Sequence, residues 1–217
     1  LEETAEEARR AGVRAFAQAA DVTDPGAVTA FVREAGARLG GIDIVVNNAG
    51  RAQPGTFETL TEEAWRGDLE VKLMSQIRVT RAALERLRAS GRGRVINVNA
   101  VAGRQVQSGL MATTTNRAAC LAFTKCLAHE LAPDGILVNS VNIGLVMTPQ
   151  WENIRAHLAP DADLETFTSA MARRSVPVGR FGTPDEVSGL IVFLCSDRAS
   201  YITGASIDVS GGLGSYL

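Results

Sequence analysis

The residues with the widest chemical repertoire in this 217-residue chain gather around one passage, Arg94 to Arg117, with Lys72 on the helix before it. An apolar strand, Val95 to Val98, ends at Asn99-Ala100 and opens into a Gly-containing loop. It then enters a helix near Leu110 that carries Thr113 and, one turn later, Arg117. In an open α/β sheet ligands bind outside the carboxyl ends of strands, so this passage should face any active site. The chemistry available there is narrow. Ala100 offers no donor, the Thr113 hydroxyl is too weak an acid to ionise at neutral pH, and Arg117 is a fixed cation that cannot relay a proton. Lys72 reads first as a solvated helix residue; turned inward, it must lower its pKa or meet an anion. The only two tyrosines, Tyr201 and Tyr216, stand at the far end of the chain.

The elements that must position these residues alternate between strand and helix. Glu2 to Arg10 patterns as a charged amphipathic helix ended by Gly12, and Val13 to Val22 alternates as a strand. Asp24 then caps a helix with Pro25 at its first position. Ala27 to Leu39 is helical, Gly40-Gly41 breaks it, and Ile42 to Val46 is an apolar run of the kind buried on both faces of a parallel sheet. Glu63 to Ala89 has helical spacing throughout, and the helix through Arg117 runs to Leu131, where Pro133-Asp134-Gly135 stops it. Ile136 to Ile143 is a further buried strand. Trp151 to Arg174, containing His157, is a more polar helical insertion, and Thr183 caps a helix begun by Pro184.

Length and 46% hydrophobic content suit one core, so residues 1–217 form a single α/β domain. A net charge of −2, without blocks of like charge, suggests neither nucleic acid nor an anionic membrane as partner. Cys120, Cys126 and Cys195 are odd in number and lie in apolar helical runs, which favours reduced thiols over disulfides or a metal site and points to the cytoplasm. No run reaches membrane-span length. The chain opens on Leu1 inside a helical pattern, so an opening strand and a Gly-rich phosphate turn are expected upstream; no GxGxxG in strand-to-helix context occurs among these residues.

Asn47-Asn48-Ala49-Gly50, the segment Lys125 to Leu131, the block Gly179-Arg180-Phe181-Gly182-Thr183-Pro184-Asp185-Glu186-Val187 and the stretch Tyr201 to Gly212 carry a resemblance to the short-chain dehydrogenase/reductase family. Its 3-oxoacyl-acyl-carrier-protein reductase-like members are the nearest in pattern. The resemblance implies a Rossmann-like, doubly wound parallel sheet in three α/β/α layers and an NAD or NADP cofactor. It also implies a Ser-Tyr-Lys-Asn tetrad, but those positions hold Ala100, Thr113, Arg117 and Lys72. The family's Asn sits at a local irregularity of its helix, so Lys72 should point inward. By resemblance the cofactor would meet Asp21, Val22, Asn47, Ala49, Gly50, Arg117, Gly144, Val146 and Thr148, with the choice between NAD and NADP made upstream of Leu1.

Ile143, where the family has Pro, should crowd the nicotinamide, so binding is expected to be weak or absent. Standard carbonyl reduction is expected to be absent as well, because an alkoxide needs a proton donor. The leading expectation is a catalytically degenerate subunit in a homo- or hetero-oligomeric dimer or tetramer, packed through the helices near 63–89 and 110–131 and the last strand. Ala118, Ala119, Ala122 and Ala128 would supply a small-residue face. The alternatives are an atypical NAD(P)-dependent oxidoreductase using other residues and a non-redox enzyme on this scaffold.

Overall fold

In the computed structural model, which describes residues 1–216, four strands form one all-parallel sheet. Their order is β1 (Ile44–Asn47), β2 (Arg94–Ala100), β3 (Leu137–Ile143) and β4 (Ser206–Val209). Parallel neighbours need crossovers, and helices supply them. On one face α4 (Ser75–Ser90) and α5 (Met111–Leu131) cover the sheet and α2 (Pro25–Leu39) packs on α4. On the other face α8 (Pro184–Cys195) covers β2 and β3 through Ile96, Val141 and Leu194. This is a Rossmann-like three-layer α/β/α fold, with α1 (Glu2–Arg10) before α2 and with α6 (Gln150–Leu158) and α7 (Leu164–Ser175) forming the insertion.

The register pairs Asn47 with Asn97 and Ala100 with Ile143, so Ala49-Gly50, Ala100 and Ile143-Gly144 leave the sheet at one carboxyl edge. The expected caps form. Asp24 Oδ1 accepts from Gly26 N (2.7 Å) and Ala27 N (3.2 Å), and Thr183 and Glu186 close a reciprocal capping box. In the insertion, Trp151 and Phe181 meet edge to face at 4.8 Å over Ala172.

Three expectations are corrected. Val13 to Val22, expected as a strand, joins no sheet among the described residues; Gln18, Ala20 and Val22 instead line a cavity of about 190 Å³ together with Val46 and Asn47. The helix expected over 63–89 is in fact α3 (Glu62–Leu69), one π-helical turn (Glu70–Met74) and α4. Of the small-residue face, Ala118 and Ala122 are exposed on α5, whereas Ala128 points into the core, since 128 lies about one and two-thirds turns beyond 122.

Candidate functional site

Two buried asparagines of β2 set the rotation of α5. Asn97 Nδ2 donates to Thr124 Oγ1 (2.9 Å) and Asn99 Nδ2 to the Arg117 carbonyl (3.1 Å), while Asn99 Oδ1 accepts from the Ala100 N–H (3.0 Å). Gly103 permits the close approach, since a Cβ there would lie 2.9 Å from the Arg117 backbone. Held this way, α5 turns Thr113 and Arg117 toward the end of β2.

The π-helical turn brings in the fourth position. Its extra residue rotates Lys72 off the surface, and the side chain is wholly buried. Lys72 Nζ contacts Asp68 Oδ1 one turn earlier and donates to Thr113 Oγ1 at 3.2 Å. Asn116 Nδ2 donates to the other Asp68 oxygen (2.8 Å), and the Cys120 thiol donates to the Lys72 carbonyl (3.5 Å). Desolvation first, and then the Arg117 charge, push the Lys72 ammonium down to about 7. The Asp68 carboxylate in contact with it pulls the other way, and the contact favours the charged pair, because either ion left alone in that interior would be unsolvated. Burial raises the Cys120 thiol to about 11 and holds it protonated.

Thr113 is equally engaged. Its Oγ1 accepts from the Gln53 N–H (2.9 Å) and from Lys72, and donates to the Gln53 carbonyl (3.3 Å), which pins the loop after β1 onto α5. Arg117 is 9% exposed and donates from Nη1 to the Val98 carbonyl (2.9 Å), while its Nε has no partner. Desolvation lowers its pKa, and no carboxylate among the described residues pairs with it. Lys72, Thr113 and Arg117 therefore form one cluster. Thr113, Arg117 and Ala100 line a cleft of about 460 Å³ at the carboxyl edge of the sheet, with Lys72 behind Thr113.

The expected cofactor residues divide between two cavities. Gly50, Arg117, Gly144 and Thr148 line this cleft; Val22, Asn47 and Ala49 line the 190 Å³ cavity beyond it, and Asn48 lines both. The Asn47 amide is committed to Asn97 Oδ1 (2.8 Å) and Thr80 Oγ1 (3.2 Å). Asp21 is exposed and accepts from Thr23 N and Oγ1, both at 2.8 Å. Val146 lies in the core beneath α8, off the cleft, with its carbonyl taking the Trp151 indole N–H (2.8 Å). Ile143 lies on the cleft wall. Tyr201 points to solvent. Burial first, and then its hydrogen bond to Asp208 (2.6 Å), raise the Tyr216 hydroxyl to about 12, so neither tyrosine replaces the missing phenol. His157 is exposed on α6 and lies off the cleft.

Sequence reasoning missed Asp68, Asn116 and Gln53. Only the four-residue spacing of Asp68 and Lys72 on a helix could have signalled one of them. A dinucleotide of the kind the resemblance implies fits these surroundings. The buried Thr148 Oγ1 has no partner, two cavities meet at Asn48, and a Cβ on Gly50 would come within 2.8 Å of Arg117 Nη2. Among the described residues no group of His, Cys, Asp or Glu could hold a metal ion, and no helix is long and apolar enough to cross a membrane.

A parallel sheet with helices on both faces and a cleft at its carboxyl edge defines the class of Rossmann-like α/β folds. A family model described as Enoyl-(Acyl carrier protein) reductase matches residues 1–214. The chain belongs to the short-chain dehydrogenase/reductase family. It is 41% identical over 211 residues to a Streptomyces virginiae protein named as a ketoacyl reductase of the monensin polyketide synthase, covering 96% of this chain and 81% of that one. L-sorbose reductase of Gluconobacter frateurii, solved with NADPH and L-sorbose, superposes with a TM-score of 0.96 at 34% identity, covering 100% of this chain and 84% of that one. A short-chain oxidoreductase of Pseudomonas aeruginosa PAO1, solved with NADPH and described as containing an atypical catalytic center, superposes with a TM-score of 0.90 at 37% identity, covering 99% and 82%.

Proposed function

We propose that this chain is an atypical NAD(P)-dependent oxidoreductase in which Lys72, acting through Thr113, stands in for the missing phenol. The observation that carries this reading is the 3.2 Å contact from Lys72 Nζ to a Thr113 hydroxyl at the cleft wall. A general acid works best with a pKa near the working pH, and burial drives Lys72 toward neutrality while Asp68 keeps it protonated at rest. As negative charge develops on a carbonyl oxygen in the cleft, Thr113 gives that oxygen its proton and takes one from Lys72. For this the Thr113 hydroxyl must turn from the Gln53 carbonyl toward the cleft.

A bound dinucleotide would supply the hydride. Asn48, Gly50, Gly144 and Thr148 would hold its nicotinamide end, and Val22 and Ala49 would wall its far end. The Pseudomonas protein, which pairs NADPH with an atypical centre, supports this reading. Ile143 narrows the nicotinamide side, so binding at that end is expected to be weak.

The test is turnover of a panel of ketones and alcohols with NADH and with NADPH, comparing the unaltered chain with Lys72→Met and Thr113→Ala. Each substitution should lower kcat by roughly 10²–10⁴ while leaving KM nearly unchanged, the lysine one being read against Asp68→Leu so that no buried carboxylate is stranded. If the unaltered chain shows no turnover, a second reading takes over: a catalytically silent subunit in a homo- or hetero-oligomer of short-chain type. The hydrogen bonds that tie Thr113 to Gln53 favour that reading, as do Ala118 and Ala122 on the outer face of α5. In that case Ala100→Ser, Thr113→Tyr and Arg117→Lys together should restore activity, and sedimentation should find dimer or tetramer rather than monomer at micromolar concentration.

A further inference from the structure

Building on the oxidoreductase reading of the cleft, we infer that the segment after β4, Gly211–Tyr216, is a strap that carries Leu213 into the cleft as an apolar wall for the substrate, and that Arg104 and Tyr216 are the positioning residues that hold it there. Two glycines turn the chain. Gly211 (φ 60°) and Gly212 (φ 84°) stand in the left-handed region, and a Cβ would meet Val176 at 2.8 Å on the first or Pro177 at 3.1 Å on the second. Leu213 follows them, is 9% exposed, packs on Val101 and Val176 and lines the cleft. Ala102 and Leu110 share that lining. None of the three is among the residues assigned to a dinucleotide, and none carries a charge or a hydrogen-bonding side chain, so they suit an apolar substituent beside the reacting carbonyl of a neutral ketone.

The strap is fastened just beyond Leu213. The Ser215 N–H donates to Gln105 Oε1 (3.0 Å), and the Tyr216 hydroxyl donates to Asp208 Oδ2 (2.6 Å). The Arg104 guanidinium lies 4.2 Å from the centre of the Tyr216 ring and 3.8 Å from Asp208 Oδ1, so one arginine meets both the ring and the carboxylate that its hydroxyl grips. Asn142 Nδ2 on β3 donates to the same Oδ1 (2.7 Å), which ties the carboxylate to the sheet. With its pKa raised, the phenol keeps its proton at neutral pH and remains a donor. What the fastening grips is the loop after β2. Arg104 and Gln105 follow directly on Val101 and Ala102, which line the cleft, and on Gly103, which presses on the Arg117 backbone. Releasing Tyr216 therefore frees Leu213 and loosens the loop on the same wall. A tail that served stability alone would need no side chain in the cleft.

The experiment compares kcat/KM for 2-octanone and 2-butanone with NADPH in the full chain, since the two share a reacting group and differ in apolar length. The unaltered chain is expected to prefer 2-octanone. Leu213→Ala should lower kcat/KM for 2-octanone by about tenfold, through KM, while changing 2-butanone little. Leu213→Met, close in volume, should keep the preference. Tyr216→Phe and Arg104→Gln should weaken it without touching the ligand, and should speed amide exchange at 101–105. Thermal melts report folding; if Leu213→Ala does not fold, Tyr216→Phe and Arg104→Gln carry the comparison. No preference in the unaltered chain, a preference that survives in the folded variants, or a fall in kcat for both ketones in step with the melting temperature would overturn the assignment. Where neither ketone is turned over, binding decides. Saturation-transfer NMR with 2-octanone should then give signals that Leu213→Ala and Tyr216→Phe weaken, and no binding, or binding indifferent to both changes, would overturn the strap. Turnover of the wider panel tests the oxidoreductase reading by itself, so the two failures stay distinct.

Discussion

At the scale of single residues, one ion pair accounts for most of what is unusual in the centre. Lys72 and Asp68 are both buried and in contact, with Asn116 completing the carboxylate's hydrogen bonds. Removing one partner strands the other, so Asp68→Asn should lower stability by about 3–5 kcal/mol in urea unfolding, whereas Asp68→Leu combined with Lys72→Met should fall much nearer to the unaltered chain. Cys120, held protonated beneath this pair, should resist alkylation while the exposed Cys126 reacts first, as peptide mass mapping would read. The inward lysine was legible from the register that the family motifs impose. Its partner was not, because Glu62 and Arg66 show the same four-residue spacing six residues earlier on the same helical run and are exposed. Spacing cannot report depth.

Elements explain where that depth comes from. The π-helical turn at Glu70–Met74 carries Lys72 inward, yet a helical repeat in sequence looks the same with or without one widened turn, so the site's main distortion left no local mark. Caps did leave marks. Asp24-Pro25 and Thr183-Pro184 both begin helices as their residue types predict, because a side-chain oxygen there satisfies an otherwise orphan N–H. Thr183→Ala should therefore cost about 1 kcal/mol in thermal or urea unfolding. Glu186 gives α8 a pH signature. Hydrogen bonds from Arg180 and then from the Thr183 N–H depress its carboxyl from 4.5 to about 2. A folded-state value below the unfolded one means the stabilisation is complete above about pH 4.5 and is lost as pH falls toward 2. Glu186→Gln should flatten that acid limb of the melting-temperature profile.

Across the whole molecule, the parallel sheet and its single carboxyl edge were readable from strands alternating with helices and from Asn47-Asn48-Ala49-Gly50. The status of Val13 to Ala20 was not, since alternation marks a strand's faces but says nothing about its neighbour. The Asp68–Lys72 pair also constrains how this centre can be changed into the family's ordinary one. Putting Asn at position 72 first would leave Asp68 buried with no cation, a step that falls in stability before any activity returns. Replacing Asp68 first strands the lysine instead. The interconversion thus has no single-substitution path without a destabilised intermediate, and an engineer would have to move both residues at once, with Thr113, Arg117 and Ala100 following in any order.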